Sequence, residues 1–157
     1  MKARDIMFSS PEVLTPDDTL SAAAKMMNDL DVGALPIVGD KSGMRLVGIV
    51  TDRDIVMRHV AEGHTEDCPV RHAMTPRTSE LEFVTVRPED TTDYVMDLMT
   101  NHQIRRVPVV SPEDQLVGII ALADVAREIG PRSPADVVRV LQAISEPSKD
   151  RTPAPAG

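Results

Sequence analysis

The chain states one pattern twice. Val32-Gly33-Ala34-Leu35-Pro36-Ile37-Val38, then Leu46-Val47-Gly48-Ile49-Val50-Thr51-Asp52-Arg53-Asp54-Ile55, is answered by Ile104-Arg105-Arg106-Val107-Pro108-Val109-Val110, then Leu116-Val117-Gly118-Ile119-Ile120-Ala121-Leu122-Ala123-Asp124-Val125. Pro36 and Pro108 lie 72 positions apart, Gly48 and Gly118 lie 70 apart, so the second copy has a turn two residues shorter. A duplicated unit of this length fixes the architecture before any single residue is considered.

The duplication reaches further back. Thr15-Pro16-Asp17-Asp18-Thr19-Leu20 and Arg87-Pro88-Glu89-Asp90-Thr91-Thr92 each open a helix. Leu20, Ala23, Met27 and Leu30 in the first copy, and Val95, Met96 and Met99 in the second, have the spacing of a half-buried helix. Asp18-Thr19 and Asp90-Thr91 supply N-cap chemistry. Each unit reads helix, strand, strand, helix, with a short strand ahead of it. The closing helices run from about Asp52 to near Gly63 and stop near Gly130. Asp5-Ile6-Met7 and His72-Ala73-Met74 mark where each copy begins.

A chain of 157 residues suits two small halves packed on each other. The expected division is repeat one at 1–66, repeat two at 67–131, a C-terminal helix at 132–145 and a tail at 146–157. Ser133, Pro134 and Asp136 suit a helix start, and Val137, Val140, Leu141 and Ile144 give that helix an apolar face. The Pro/Ala-rich tail lacks the apolar surface to order itself.

Charge and composition narrow the function. The net charge is −8, with no Trp, one Tyr and two Phe, a poor basis for binding nucleic acid. No run approaches the roughly 18 apolar residues of a membrane span, and Met1–Asp5 lacks the apolar core of a signal peptide. A cytoplasmic location is expected. The single cysteine, Cys68, excludes an intrachain disulfide. No phosphate-loop, dinucleotide or nucleophile motif is present, so an enzyme is not expected. His64, Cys68 and His72 recur every four residues, but Pro69 interrupts them, and no metal site is assigned. Met26, Met27, Met57, Met96 and Met99 read as core or dimer-face filler, and His59 and His102 as isolated helix residues.

These blocks resemble the tandem CBS domain pair, or Bateman module. The likeness covers roughly residues 1–131 and is similar to the small stand-alone bacterial two-CBS proteins, the hypoxic-response type among them. It rests on the apolar-Pro-apolar strand, the Leu-Val-Gly-Ile strand, the Thr-x-x-Asp helix start and their duplication. The resemblance implies an α/β (α+β) fold of two β-α-β-β-α units about a pseudo-two-fold axis. It also implies a cleft on each side that takes an adenosine nucleotide, and a regulatory, often homodimeric, role through a partner protein. AMP, ADP or ATP would be the ligand, with S-adenosylmethionine the lesser alternative and no obligatory cofactor.

Carried over residue by residue, Asp54 would hold the ribose hydroxyls and Thr51 would donate to phosphate. Arg53, Arg105 and Arg106 are phosphate candidates. Strand alternation allows at most one of Arg105 and Arg106 to face any one cleft. Thr15, Gly33, Ala34, Leu35 and Val50 would line the adenine slot. Thr51 with Asp54 is also a capping box, a role compatible with ligand contact. In the second copy Ala121 replaces the threonine while Asp124 remains. At most one good site is therefore expected, on Thr51 and Asp54.

Overall fold

The computed structural model describes residues 1–80 and 83–147. In chain order it contains α1 (Ala3–Ile6), β1 (Phe8–Ser9), α2 (Leu20–Leu30), β2 (Ala34–Val38), β3 (Leu46–Thr51) and α3 (Asp52–Ile55). A π-helical turn over Val56–Val60 continues α3, and a 3-10 turn covers Val70–His72. Then follow β4 (Thr75–Pro76), α4 (Thr92–His102), β5 (Arg106–Val110), β6 (Leu116–Ala121), α5 (Leu122–Glu128) and α6 (Pro134–Ser145). The fold is mixed α+β, built on two three-stranded sheets with orders β2-β3-β4 and β1-β6-β5.

The hairpins follow from the repeated strands. Pro36 pairs with Ile49 and Pro108 with Ile119 in the same antiparallel register. β3 and β6 alternate buried and half-buried residues along their length, so each offers one face to a core and one to a cleft. α2 and α4 begin where Thr19 and Thr91 accept hydrogen bonds from the N–H groups of Ala22 (3.1 Å) and Tyr94 (3.2 Å).

The short leading strands are exchanged. β1 precedes the first repeat but pairs with β6, and β4 precedes the second repeat but pairs with β3. The turns around them exchange too. Ala3 and Ile6 lie in the core with Val95, Met99 and Val125, whereas Val70 and Ala73 lie in the core with Leu14, Leu35 and Val50. Lys2 and Arg4 pair with Glu89, and Arg71 pairs with Asp17, the counterpart of Glu89 in the first copy. This explains the glycine common to both Leu-Val-Gly-Ile strands. A Cβ on Gly48 would stand 2.7 Å from the Thr75 carbonyl oxygen, and one on Gly118 would stand 2.5 Å from Met7 Sδ. Each glycine admits the other repeat's leading strand.

Other expectations shift in detail. Leu20, Ala23 and Met27 are buried, but Leu30 is exposed because it ends α2, where Asp31 turns left-handed (φ 54°). Val140 and Ile144 anchor α6 in the second repeat's core with Val137 against them, whereas Leu141, about 100° round the helix from Val140, faces outward. Ser133 precedes Pro134 as expected but makes no side-chain capping bond. The closing helix of the first repeat widens at Val56–Val60, where the Ala61 N–H reaches the Val56 carbonyl at 2.8 Å. Met27, Met96 and Met99 are core residues, while Met57 lies exposed on that π turn. Of the expected tail, residues 148–157 lie outside the described residues.

Candidate functional site

A cleft of about 910 Å³ opens between the repeats. That is the size of a pocket for a nucleotide-scale ligand. One wall is Ile49, Thr51 and the start of α3 through Asp54, with Thr75 beside them. The facing wall comes from the second repeat: Phe83, Val84, the strip His102–Arg106, and Pro108. The end of α6, Ile144–Pro147, forms a further side.

Thr51 and Asp54 form a reciprocal capping box. Thr51 Oγ1 accepts from the Asp54 N–H (3.1 Å), and Asp54 Oδ2 accepts from the Thr51 N–H (3.0 Å). The box leaves two groups with spare capacity. A hydroxyl that accepts one bond still has its O–H to donate. Among the described residues Asp54 Oδ1 has only Arg58 Nη1, at 3.9 Å, and that guanidinium already donates to the Ala73 (2.9 Å) and Met74 (3.2 Å) carbonyls. A carboxylate oxygen is thus left to accept from a ligand.

The three sequence-selected arginines all line this cleft. Arg105 and Arg106 do so together, contrary to the alternation expected of strand neighbours. β5 begins only at Arg106, so Arg105 still lies in the turn after α4 and alternation does not constrain it. Among the described residues none of the three has an ion-pair partner; Arg53 joins Asp52 only through its backbone N–H, at 2.8 Å. Acidic groups balance them, since Asp52, Asp54 and Glu146 line the same cleft.

The five residues expected to form the adenine slot are not on its walls. Leu35 and Val50 are core side chains, Ala34 is 7% exposed, and both the N–H and the Oγ1 of Thr15 turn to Asp18 Oδ2 (2.8 and 3.3 Å). Gly33 binds Asp52 N–H through its carbonyl (3.0 Å). Strand alternation accounts for Val50 and its cross-strand partner Leu35: Ile49 and Thr51 face the cleft, so Val50 between them faces the core. The apolar wall opposite Thr51 comes instead from the other repeat, through Phe83, Val84, Ile104 and Pro108. The duplication held the signal for this, because a pseudo-two-fold cleft takes one wall from each copy. No signal pointed to Glu146 and Pro147, whose neighbours have the composition of a tail.

The second copy's equivalent is engaged differently. Asp124 is 9% exposed; its Oδ2 accepts from the Ala121 N–H at 2.7 Å and its Oδ1 from Arg127 Nη2 at 2.5 Å. Each oxygen already accepts one bond, and Ala121 has no hydroxyl to offer.

His64, Cys68 and His72 do not converge. His64 stacks on His59 with ring centroids 5.6 Å apart, Cys68 is partly buried beside the first repeat's core, and His72 lies in the 3-10 turn. Among the described residues no group of three or more His, Cys, Asp or Glu could hold a metal ion, and no helix is long and apolar enough to cross a membrane.

Two repeats with exchanged leading strands and a cleft between Thr-x-x-Asp and the facing strand define a tandem CBS pair. Residues 3–60 and 70–131 match the CBS domain, and the chain belongs to that family. It is similar to Hypoxic response protein 1 of Mycobacterium tuberculosis, 37% identical over 92% of this chain and 94% of that protein. A crystal structure of Hypoxic Response Protein I with two coordinated zinc ions is 41% identical, covering 82% of this chain and 98% of that one, at a TM-score of 0.66. CBSX2 in complex with AMP is 25% identical, covering 82% of this chain and 95% of that one, at a TM-score of 0.69. The CBS domain pair of MJ0100, in complex with 5-methylthioadenosine and S-adenosyl-L-methionine, is 28% identical, with coverage of 84% and 98% and a TM-score of 0.70.

Proposed function

We propose that this protein is a non-catalytic regulatory module that senses an adenosine nucleotide in the cleft between Thr51–Asp54 and Ile104–Arg106. One observation carries the reading. Three arginines without ion-pair partners among the described residues meet a carboxylate oxygen with spare capacity and a free O–H donor in one nucleotide-sized cleft. The guanidinium groups suit phosphate and the Asp54 carboxylate suits a ribose diol. The AMP and S-adenosylmethionine complexes of similar structures support it. The arginines suit the phosphate of AMP, ADP or ATP, a group that S-adenosylmethionine lacks. One ligand per chain is proposed, because Asp124 is engaged by Arg127.

The output is a change of shape or subunit contact acting on a partner protein, with the cytoplasm as the proposed compartment. A homodimer would cover Val56, Met57 and Val60, which are exposed together on the π turn. Val60→Glu should then shift the chain to monomer in sedimentation.

Calorimetric titration with AMP, ADP, ATP and S-adenosylmethionine tests the reading. Saturable binding near one per chain, weakened at least tenfold in Asp54→Ala, is the expected result. Unchanged affinity in that variant would remove the site assignment. The locked Asp124 favours a second reading, a ligand-free interaction module acting through protein partners. Absence of any binding by the folded protein would select it.

A further inference from the structure

The last turn of α6 belongs to neither repeat, yet Ile144, Ser145, Glu146 and Pro147 all line the cleft. Ile144 packs into the second repeat's core, and one polar side chain, Gln103, ties down the backbone that follows it. Gln103 Nε2 donates to the carbonyl oxygens of Ala143 and Glu146, each at 3.1 Å. Ala143 is among the last four helical residues, whose carbonyls have no partner within the helix. Gln103 ends α4 in the left-handed region (φ 52°) and opens the strip that carries Arg105 and Arg106. The residue that hydrogen-bonds the end of α6 therefore sits two positions before Arg105 and three before Arg106.

We propose that the last turn of α6 is part of the ligand site and is the element that carries its occupancy outward, with Gln103 as the positioning residue. The proposal rests on the nucleotide reading of the cleft. A ligand that touches both the strip and the turn is bound only in full when α6 is docked. By linkage, undocking α6 weakens the ligand by the same factor by which the ligand favours docking. A ligand confined to the repeats would be indifferent to α6.

Hydrogen exchange on the full chain, without ligand and with saturating AMP or ATP, decides this alongside titration of wild type and Gln103→Ala. Nucleotide should slow exchange of the α6 amides at least about threefold in wild type. Gln103→Ala should speed their exchange in the free protein and weaken nucleotide by about three- to tenfold, with the β2 and β3 amides unchanged. Protection confined to the repeats, with unaltered affinity in Gln103→Ala, would overturn the inference and leave the nucleotide site standing. No binding of either nucleotide to folded wild type would overturn both. The wild-type exchange pattern decides the question even if the variant fails to fold.

Discussion

Arg77 grips Asp114 with two parallel bonds, Nη1 to Oδ2 at 2.7 Å and Nη2 to Oδ1 at 2.9 Å. The first residue follows β4 on the sheet of the first repeat, and the second lies in the β5–β6 turn of the other. Close by, the Leu116 N–H donates to the Met44 carbonyl at 2.8 Å, so the two hairpin turns meet there. The Arg77 guanidinium holds the Asp114 carboxyl below its ordinary range, chiefly by hydrogen bonding and, less strongly, by charge. A depressed carboxylate stabilises the fold above its unfolded pKa of about 3.9 and loses that contribution as pH falls through the folded value. Asp114→Asn should cost about 1 kcal/mol at pH 7, discounted for partial exposure. Urea unfolding should show the gap between variant and wild type closing as pH falls below about 4.

The two Asp positions can be interconverted. Ala121 has the extended backbone of an N-cap (φ −99°, ψ 158°) but no oxygen for the Asp124 N–H. Ala121→Thr should stabilise the protein by about 0.5–1 kcal/mol. Ala121→Thr with Arg127→Ala should release Asp124 Oδ1 and raise nucleotide stoichiometry towards two per chain in calorimetry.

Gly33 lies where the two repeats touch. A Cβ there would stand 3.0 Å from Arg106 Nη2 and 3.1 Å from Asp52 Oδ2. Both are ends of side chains that can give, so Gly33→Ala should leave the melting temperature within about 3 °C of wild type. Gly33→Val should push Arg106 aside and weaken nucleotide severalfold, measured by titration, while the far-ultraviolet spectrum is unchanged.

α6 separates packing from exposure. Val140 is fully buried and Leu141 is about half exposed. Val140→Ala should cost about 2 kcal/mol, and Leu141→Ala less than about 0.5 kcal/mol. Chemical denaturation of the two variants checks the contrast.

What can be read before folding is local or periodic. The Thr19 and Thr91 caps, the Pro36 and Pro108 strands and the helix faces through Met27 and Met99 each depend on neighbours a few residues away. The exchange of leading strands is not legible. Phe8–Ser9 and Thr75–Pro76 are too short to show a period, and their partners lie far off in sequence. Phe83, Val84 and Ile104 are far from Thr51 in sequence, and only the packing of one repeat on the other brings them to the same cleft. Glu146 and Pro147 have tail-like neighbours in sequence; the packing of Ile144 and the Gln103 bonds together set them at the cleft.

The crossed leading strands also govern how such a chain can come into being. As the polypeptide is made, β3 waits for residues 75–76 before its sheet is complete, while Phe8 and Ser9 must stay available until β6 emerges. The segment synthesised early is thus reserved for the half synthesised late. Neither half can finish alone, and melting one should unzip the other in a single cooperative step.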